Sequence, residues 1–388
     1  MNILFLTNFP IIPSAGGIQR VTDILSRELI IRGHNVNYLV LAPKSLDDAS
    51  NSTIKHFFVD VEHNINWKKN VEDVLLTLQV EYIVNQTPNA LTCQVLREFN
   101  NRYKVVSVFH TQPFLNDGIT RERILVSKTY NFKQNCFKLL TLLFPKLRSY
   151  VFGKYEERNM RMTASLSDKT CFISDRFYDR VLKHIPDFPI EKLCAINNPN
   201  TFEICDSTSE RENLIIWVGR VENSTKNTIG FVQVWEYLYK NNPTWKAIVA
   251  GDGSDLTSVK KYAEDHSLRN IEFIGSCNDV QSLYNRAKIL VVTSYSESWC
   301  MVLTEGLAHG CVVAAFDTYE TVHDIVNESN GIITEPNPQI MAKQLHYLIN
   351  NEKVYKELAK QTQNSIENYN SRLIVNQWVD LLSSIQKN

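Results

Sequence analysis

Two cationic side chains in the second half of the chain lie where an anionic ligand could bind. Arg220 follows a short apolar run in "WVGRVENSTK", and Lys226 comes six residues later, near the start of the next predicted helix. Ligands of open α/β sheets bind at the carboxyl ends of the strands, so two cations there could clamp a diphosphate. A pair of solvated surface charges would give the same pattern, and the pair alone does not decide between these interpretations.

Two carboxylates, Glu297 and Glu305, lie eight residues apart in "SYSESWCMVLTEGLAHGCVVAAF". Each could accept hydrogen bonds from two vicinal hydroxyls, of a hexose or of a ribose. Glu305 lies in a helix-compatible run, and the N–H groups of Met301, Val302 and Leu303 at the start of that helix would face a phosphate. Two glutamates at this spacing are common by chance, and it is their position after a predicted strand that favours a binding site.

Glycines follow several of the predicted strands. Gly16 and Gly17 lie in "PSAGGIQRV" after the first strand, Gly251 and Gly253 in "VAGDGSD", and Gly275 in "EFIGSCND". Such turns let a backbone approach a phosphate closely, although Gly16 and Gly17 could equally make a tight turn and nothing more. Neither a G-x-G-x-x-G fingerprint nor a P-loop lysine is present.

Ten short apolar runs alternate with longer amphipathic segments. The runs are residues 3–5, 38–41, 82–84, 105–109, 171–173, 214–218, 247–250, 271–274, 289–292 and 312–316. Runs of this length suit strands buried on both faces, and the helical segments between them predict parallel βαβ units. We therefore expect an α/β protein whose two domains meet between about residues 185 and 212, where the alternation lapses and a polar stretch, 206–213, reads as a linker.

Length and composition bound the class of protein. A chain of 388 residues is long enough for two ordinary domains. Its formal net charge of −1 gives no general reason to expect nucleic-acid binding. No apolar run approaches the roughly 20 residues of a transmembrane helix. The eight cysteines contain no C-x-x-C pair, so we expect reduced thiols in the cytoplasm.

Together these motifs resemble glycosyltransferase family 4, whose members are retaining enzymes with the GT-B fold. Glu297 and Glu305 match the family's E-x7-E motif, and Gly219, Arg220 and Lys226 match its G-R-x(n)-K motif. Gly251 and Gly253 match its G-x-G turn, and Gly16, Gly17 and Arg20 match its N-terminal G-G-x-x-R motif. "RGHNV" at 32–36 and "INNPN" at 196–200 also resemble family segments. The resemblance extends over almost the whole chain and is strongest from residue 214 to residue 316.

The GT-B resemblance implies two Rossmann-like domains that face each other across a cleft. We expect an N-terminal acceptor-binding domain at residues 1–190 and a C-terminal domain that binds the nucleotide-sugar donor at residues 191–370. The last segment, 371–388, is expected to form a helix that packs back on the N-terminal domain. Its apolar positions at helical spacing are Leu373, Ile374, Trp378 and Leu381.

The resemblance also assigns roles in the donor domain. It implies that Arg220 and Lys226 neutralise the departing diphosphate. Glu305 would hold the ribose hydroxyls, Glu297 the hydroxyls of the transferred sugar, and the loop around Gly275 would meet the base. The predicted donor-binding residues are Gly16, Gly17, Arg220, Lys226, Gly251, Gly275, Glu297, Ser298, Trp299, Cys300, Met301, Val302, Leu303 and Glu305.

Three predicted site residues belong to the first domain. Gly16 and Gly17 would let its backbone close against the diphosphate or the acceptor. His110, in "VFHTQP" at a strand end, occupies the place where family members have a polar residue beside the donor sugar. A histidine at a strand end is also a common structural residue. The predicted catalytic residues are Glu297, His110, Arg220 and Lys226.

The family's reaction implies attack by an acceptor hydroxyl on the face from which the diphosphate leaves. This requires no protein nucleophile, and the chain has no convincing D-x-D metal motif, so we expect metal-independent hexosyl transfer without a cofactor. Two other classes remain open. A GT-B nucleotide-sugar epimerase would isomerise the donor without an acceptor, and a non-catalytic binding protein would keep Arg220, Lys226 and Glu305 but lose the sugar contact.

The chain departs from the family pattern between the two glutamates. The usual Glu-Gly-Phe-Gly is replaced by Glu297, Ser298, Trp299 and Cys300. If the second glycine's backbone angles are kept, we expect a cost of about 1 kcal/mol or more for a residue with a side chain. The departure bears most on the identity of the donor.

A basic, apolar segment at residues 121–162 suggests an acceptor. It carries ten lysines and arginines against three glutamates, interleaved with large apolar residues. Such a mixture suits an anionic membrane surface, and it also suits a pair of ordinary helices with one buried face. In the first case we expect a peripheral protein on the inner face of the cytoplasmic membrane. Its acceptor would be a saccharide or a polyprenyl-diphosphate-linked saccharide of surface polysaccharide assembly.

Overall fold

The computed structural model describes residues 1–43, 53–116, 132–204 and 211–385. Its internal contacts divide the chain into two units. The first comprises Met1–Ile119, Phe144–Thr201 and Ser371–Asn388, and the second comprises Thr120–Leu143 and Phe202–Asn370. Each unit is built on one sheet whose strands all run parallel.

The strands, in chain order, are β1 (Asn2–Thr7), β2 (Asn35–Val40), β3 (His56–Phe58), β4 (Tyr82–Asn85), β5 (Lys104–Phe109), β6 (Lys169–Phe172), β7 (Leu193–Ala195), β8 (Glu212–Val218), β9 (Lys246–Ala250), β10 (Ile271–Gly275), β11 (Ala287–Val292), β12 (Val312–Phe316) and β13 (Gly331–Thr334). β1 to β7 form the first sheet, and β8 to β13 form the second.

The described helices are α1 (Gly17–Ile31), α2 (Trp67–Thr77), α3 (Ala90–Phe99), α4 (Phe132–Leu143), α5 (Pro145–Ser165), α6 (Phe177–His184), α7 (Thr228–Leu238), α8 (Leu256–Asp265), α9 (Val280–Arg286), α10 (Met301–Ala308), α11 (Val322–Ile325), α12 (Pro338–Asn350), α13 (Glu352–Ser365) and α14 (Ser371–Ser384). Because helices follow most strands, both sheets are made of βαβ units.

The first sheet has the strand order β3-β2-β1-β4-β5-β6-β7. β1 pairs with β2 on one side and β4 on the other, so Phe5 lies opposite both Tyr38 and Val84. All but the first residue of β1 are buried. This burial explains why the strand reads as an unbroken apolar run, since a strand covered on both faces has no solvent side to alternate toward.

The second sheet has the order β10-β9-β8-β11-β12-β13. β8 and β11 lie at its centre, with Ile215 opposite Ile289. Trp217 and Trp235 are nearly fully buried in one apolar cluster, which α7 and α12 complete. The strand order reverses direction between β8 and β11, which is where an open parallel sheet binds its ligand.

All ten apolar runs fall on strands of the two sheets, which confirms the predicted α/β class. Three strands lack such a run in the prediction: β3, β7 and β13. Each lies at a sheet edge, and β3 and β7 have only three residues, all half-buried. An edge strand buries less surface, so its composition carries a weaker signal.

The first unit extends past the predicted boundary at residue 190. β7 pairs with β6, with Cys194 opposite Cys171, so the first sheet is completed only at Ala195 and the unit ends at Thr201. The helix α4 groups with the second unit, although its residues precede that boundary.

The last helix, α14, belongs to the first unit, where the Arg32 guanidinium on the turn after α1 donates to Arg372 O at 2.8 Å and Asn376 Oδ1 at 3.0 Å. Its buried face is Ile374, Val375, Trp378 and Leu382, whereas Leu373 is exposed.

Candidate functional site

The predicted donor-site residues of the second unit gather at one edge of its sheet. Gly219 and Arg220 follow β8, Gly251 follows β9, Gly275 ends β10, and Glu297 follows β11. Because the strands are parallel, all four strand ends lie at the same carboxyl edge. The fold therefore brings these motifs together, although they span almost eighty residues of the sequence.

The loops after β8 and β9 are locked together through their backbones. The Gly219 N–H donates to Ala250 O at 3.0 Å, and the Val221 N–H donates to Asp252 O at 2.9 Å. A Cβ atom on Gly251 would lie 1.8 Å from Gly219 O, and one on Gly253 would lie 2.3 Å from Val221 O. Gly251 also has a φ of 149°, which disfavours any side chain. The G-x-G turn is thus required by the packing of one loop against the other.

Arg220 presents its guanidinium to solvent at this edge. Its side chain is 69% exposed, and its Nε lies 3.0 Å from Glu222 Oε2. Ser224 donates its hydroxyl to Glu222 Oε1 at 2.7 Å. Since Nε is only one of the guanidinium nitrogens, the pair with Glu222 orients Arg220 and leaves the two terminal nitrogens for an anion.

Lys226 and Glu297 form an ion pair, with Lys226 Nζ 2.6 Å from Glu297 Oε1. Ser294 donates its hydroxyl to the same carboxylate oxygen at 2.7 Å. Burial lowers the pKa of Lys226, the charge of Glu297 and its hydrogen bond raise it, and the net pKa lies above its ordinary value. The ammonium is therefore charged at pH 7, and it retains N–H donors beyond the one used by Glu297.

The loop that carries Lys226 is fastened to the end of β11. The Tyr295 N–H donates to Thr225 O at 2.8 Å, and the Thr293 hydroxyl donates to Asn227 O at 2.8 Å. These two bonds flank Lys226 on both sides. They fix the ammonium beside the segment that carries Glu297, which explains how two residues 71 positions apart meet.

The turn between Glu297 and α10 is tight and largely buried. Cys300 has a φ of 47°, a left-handed conformation in which the side chain costs about 1 kcal/mol. The Trp299 ring is 2% exposed and packs edge-on against Tyr369, with centroids 5.1 Å apart. Burial raises the pKa of the Cys300 thiol to about 12, so it is protonated at neutral pH.

The start of α10 offers fewer backbone donors than predicted. Met301 and Val302 occupy the first two helical positions, whose N–H groups have no acceptor within the helix. The Leu303 N–H instead donates to Cys300 O at 2.9 Å. The expectation that Leu303 faces a phosphate is therefore corrected, because its N–H is satisfied by the turn itself.

Glu305 lies on α10 with only 3% of its surface exposed. Tyr284 donates its hydroxyl to Glu305 Oε2 at 3.0 Å, and burial together with this carboxylate raises the tyrosine's pKa, which keeps the donor protonated. Arg211 donates to the backbone oxygens of Tyr284 at 2.9 Å, of Ala287 at 2.6 Å and of His309. Arg211 thereby ties together the ends of α9 and α10, the two helices that carry Tyr284 and Glu305.

Sequence reasoning missed four of these residues: Arg211, Glu222, Tyr284 and Ser294. Glu222, Tyr284 and Ser294 each contact a motif residue, and Arg211 donates to the backbone at the end of α10, the helix that carries Glu305. Glu222 and Ser294 lie two and three positions from Arg220 and Glu297, so proximity along the chain was a usable signal. Tyr284 and Arg211 act across the fold, and no pattern in the sequence marks them.

The first unit carries the remaining predicted residues. Gly16 precedes α1 with an extended backbone, φ 163°, and a Cβ there would meet nothing within 4 Å. Gly17 is the first residue of α1. Neither the backbone angle nor the packing therefore requires a glycine at position 16.

His110 follows β5, and its Nε2 lies 2.5 Å from Gln86 Oε1. Its Nδ1 is buried and has no hydrogen-bond partner among the described residues. Burial lowers the pKa of His110 to about 4 from an ordinary value of 6.5, so the ring is neutral at pH 7. Between pH 6.5 and pH 4 the His110 ring is protonated in the unfolded state but not in the folded state. Folding stability therefore falls as the pH falls through this range.

The basic segment is described from residue 132 onward, and Arg121, Arg123 and Lys128 lie outside the described residues. Leu139, Leu140 and Leu143 of α4 are exposed, as are Tyr150 and Tyr155 of α5. On α5, Lys154 and Arg161 pair with Glu157. Within the ranges that the structure covers, no helix is long and apolar enough to cross a membrane.

Comparison with known proteins agrees with this architecture. The family model of glycosyl transferases group 1 matches residues 203–365, all within the second unit. A crystal structure of Anabaena HepE in complex with UDP superposes over 99% of this chain and 100% of its own, with a TM-score of 0.73 and 16% sequence identity. The chain has the GT-B fold.

Two curated relatives match about half of this GT-B chain. A Campylobacter jejuni α-1,4-N-acetyl-D-galactosaminyltransferase, named for its diNAcBac-PP-undecaprenol-linked substrate, is 25% identical over 213 residues, which are 54% of this chain and 57% of the relative. The amylovoran biosynthesis glycosyltransferase AmsD of Erwinia amylovora is 25% identical over 191 residues, or 48% and 52%. The chain thus spans just over half the length of these relatives.

Proposed function

We propose that this chain is a retaining glycosyltransferase of family 4. It moves a hexosyl group from a nucleoside-diphosphate sugar to a hydroxyl of a glycan or of a polyprenyl-diphosphate-linked saccharide. The observation that carries the proposal is the set of charges at one sheet edge: Arg220, and Lys226 paired with Glu297 at 2.6 Å. A cation and a carboxylate side by side suit a diphosphate and the sugar attached to it.

The comparisons support the classes of donor and acceptor. Anabaena HepE was crystallised in complex with UDP, and the Campylobacter relative is named for an undecaprenol-linked saccharide. The Erwinia relative is named for the synthesis of a polysaccharide, amylovoran. We therefore place the reaction in surface polysaccharide biosynthesis, with a uridine-diphosphate sugar as the first donor to test.

In this mechanism the leaving group is stabilised by fixed cations. The bond between the anomeric carbon and the diphosphate oxygen breaks, and its electron pair leaves with the diphosphate. The Arg220 terminal nitrogens and the remaining N–H donors of Lys226 neutralise the charge that develops. The acceptor oxygen bonds to the same carbon from the same face, and its proton passes to the departing phosphate oxygen. No protein nucleophile and no metal ion are required.

The other predicted residues orient the two substrates. Glu297 would accept hydrogen bonds from hydroxyls of the transferred sugar, and Glu305 from the ribose. The Gly275 loop would meet the base, and the N–H groups of Met301 and Val302 would bind a phosphate oxygen. In the first unit, Gly16 and Gly17 would admit the diphosphate or acceptor, and the neutral His110 would accept a hydrogen bond from a hydroxyl of the donor sugar at Nδ1.

An assay with purified protein tests this proposal and separates it from the two alternatives. The protein is incubated with UDP-, GDP-, ADP- and dTDP-sugars, first alone and then with synthetic polyprenyl-diphosphate-linked saccharides, and release of nucleoside diphosphate is followed. We expect release only with acceptor, a product with the donor's anomeric configuration by NMR, and full activity in EDTA.

Each contrary outcome has a distinct meaning in that assay. Isomerisation of the donor without acceptor would identify an epimerase. Donor binding without turnover on any acceptor would identify a non-catalytic binding protein. An inverted anomer would exclude the retaining mechanism, and loss of transfer in EDTA with recovery in manganese would exclude metal independence.

Removal of the Tyr284 hydroxyl is expected to weaken donor binding. Tyr284→Phe leaves Glu305 Oε2 without its 3.0 Å donor in a buried site, and hydrogen bonds to charged groups contribute about 1.5–3 kcal/mol. We expect the KM for the donor to rise roughly tenfold or more, with a smaller change in kcat. A donor with a 2′,3′-dideoxyribose serves as the control, since it should bind the variant and the wild type alike.

Peripheral membrane contact through the basic segment is part of the proposal. Leu139 and Leu143 on α4 are 65% and 68% exposed, with Lys133 and Lys138 on the same helix. Exposed leucines beside lysines suit an anionic interface, where each cation contributes about 1 kcal/mol.

Vesicle flotation measures this contact. Leu139→Ser with Leu143→Ser should reduce binding to phosphatidylglycerol vesicles at least tenfold, while Ile65→Ser, which alters a 95% exposed isoleucine of the first unit, should not. Equal binding of all three proteins would remove the apolar contact of α4 from the proposal, and equal binding to neutral phosphatidylcholine would remove its electrostatic part.

A further inference from the structure

A cavity of about 460 Å³ lies at the edge of the second sheet opposite to the predicted donor site. Asn213 is the second residue of β8, Lys288 is the second residue of β11, and Trp245 immediately precedes β9. The amino-terminal ends of these parallel strands therefore form one wall. The ends of α12 and α13 add Asn350 and Tyr355. The volume falls within the range of roughly 300–1,000 Å³ that is typical of small-molecule sites.

Lys288 presents an ammonium group to this cavity. Its Nζ donates to Asn213 Oδ1 at 2.6 Å and lies 5.6 Å from the centroid of the Trp245 ring and 5.7 Å from that of Tyr355. Within the described part of the chain no second hydrogen-bond acceptor contacts it. An ammonium has three N–H donors, so two of them are available to a ligand that lies against the Tyr355 ring.

Asparagine amides supply the complementary groups. The buried Asn242 donates to Leu238 O at 2.8 Å and contacts His346 Nδ1 at 3.1 Å, which fixes its orientation. Asn350 donates from Nδ2 to His346 O at 2.8 Å. Every hydrogen bond that the described residues make with Asn350 uses Nδ2, so its Oδ1 is available as an acceptor. The cavity thus offers an amide acceptor, Asn350 Oδ1, whose orientation is fixed by the bonds that Nδ2 makes.

The charges of the lining favour a neutral ligand over an anionic one. Among the residues that the structure describes, Lys288 is the single cation of the lining, which also contains one carboxylate, Glu352, and that carboxylate pairs with Lys356 at 2.8 Å. A phosphate site would need more than one uncompensated cation or a cluster of backbone N–H groups. Amides, one ammonium and the half-buried Tyr355 ring match the hydroxyls and the apolar face of a sugar ring, while Trp245 is buried behind Lys288.

We propose that this cavity binds one or two sugar units of a neutral glycan, at a site separate from the donor site. Lys288 and Asn213 donate to ring hydroxyls, Asn350 accepts from one, and Tyr355 lies against the sugar. The site does not depend on the donor assignment, because no residue of the Arg220 and Glu297 edge contributes to it. If the proposed transferase activity also holds, this site would retain part of a glycan acceptor on the donor unit.

Saturation-transfer NMR on the full chain tests the cavity directly. The neutral probes are maltotriose, cellotriose, galactobiose and di-N-acetylchitobiose, and the anionic probes are glucuronate and inorganic phosphate. We expect at least one neutral probe to bind, with at least tenfold weaker affinity in Asn350→Ala and in Lys288→Met. Asn364→Ala, which alters an exposed asparagine at the far end of α13, should bind as the wild type does.

A second variant separates this site from the donor site. Arg220→Ala should leave the binding of the neutral probe unchanged while it abolishes any binding of nucleoside diphosphate. Loss of saccharide binding in Arg220→Ala would mean that the donor site had been measured and would overturn the proposal. The proposal also fails if no neutral probe binds, if only the anions bind, or if Asn350→Ala and Lys288→Met bind as the wild type does.

Discussion

Replacement of Lys226 by methionine is expected to reduce kcat about 10²- to 10³-fold, the usual effect of removing one fixed group that stabilises a developing negative charge. Lys226 donates to Glu297 at 2.6 Å, and the raised pKa keeps it charged. The variant therefore removes both the cation that we propose for the diphosphate and the ion-pair partner of a carboxylate that is only 11% exposed. Steady-state kinetics with saturating donor measure the first effect, and thermal unfolding measures the second.

A double variant separates these two effects. In Lys226→Met with Glu297→Gln the side chain at position 297 is a neutral amide that needs no counter-charge. The melting temperature should therefore recover toward that of the wild type. The glutamine can still hydrogen-bond to sugar hydroxyls, but the diphosphate still lacks its cation, so kcat should stay low. Recovery of kcat in the double variant would show that Lys226 serves only to neutralise Glu297, and the proposed role in leaving-group stabilisation would be wrong.

The sequence predicted the sheets better than it predicted the side-chain partnerships. Strands buried on both faces read as unbroken apolar runs, which is why all ten such runs are strands. The edge strands β3, β7 and β13 bury less apolar surface, and the prediction missed them. The first unit ends later than residue 190 because β7, which follows that residue, completes its sheet. These differences follow from how little apolar surface a short edge strand contributes.

Individual motifs located the candidate site, because residues at the ends of parallel strands must share one edge of the sheet. The contacts within that edge were not predictable from spacing. Lys226 meets Glu297 across 71 positions through a loop fastened to β11, and Tyr284 reaches Glu305 from another helix. Such pairs depend on tertiary packing, which the spacing of charged residues along the sequence does not predict.

The role of each glycine is a second feature that the sequence alone does not predict. The sequence gives no means to separate a glycine that folding needs from one that a ligand needs, since both follow a strand and precede a helix. The packing shows only which glycines folding needs. Gly251 lies where a Cβ would meet Gly219 O at 1.8 Å, whereas Gly16 has an extended backbone and no neighbour within 4 Å of its missing Cβ.

Gly251→Ala is therefore expected to destabilise the second unit by about 3 kcal/mol, through the clash with Gly219 O together with strain at a φ of 149°. The corresponding fall in melting temperature is about 5–10 °C. Because the clash pushes apart the loops that carry Arg220 and Gly253, transfer activity and nucleotide binding should fall with it even well below the melting temperature. Calorimetry and nucleoside-diphosphate titration measure the two effects.

Gly16→Ala is the matched variant, since it adds the same methyl group at an open position. Its melting temperature should lie within about 1 °C of the wild type, whereas transfer should be strongly impaired if a diphosphate or acceptor approaches that backbone. On the proposed roles the two glycine variants would lose activity for different reasons, Gly251→Ala by distorting a loop and Gly16→Ala by filling space that a substrate needs. A Gly16→Ala protein with full activity would leave glycine at that position without a ligand role, and an equally stable Gly251→Ala protein would mean that the interlocked loops can separate at no cost.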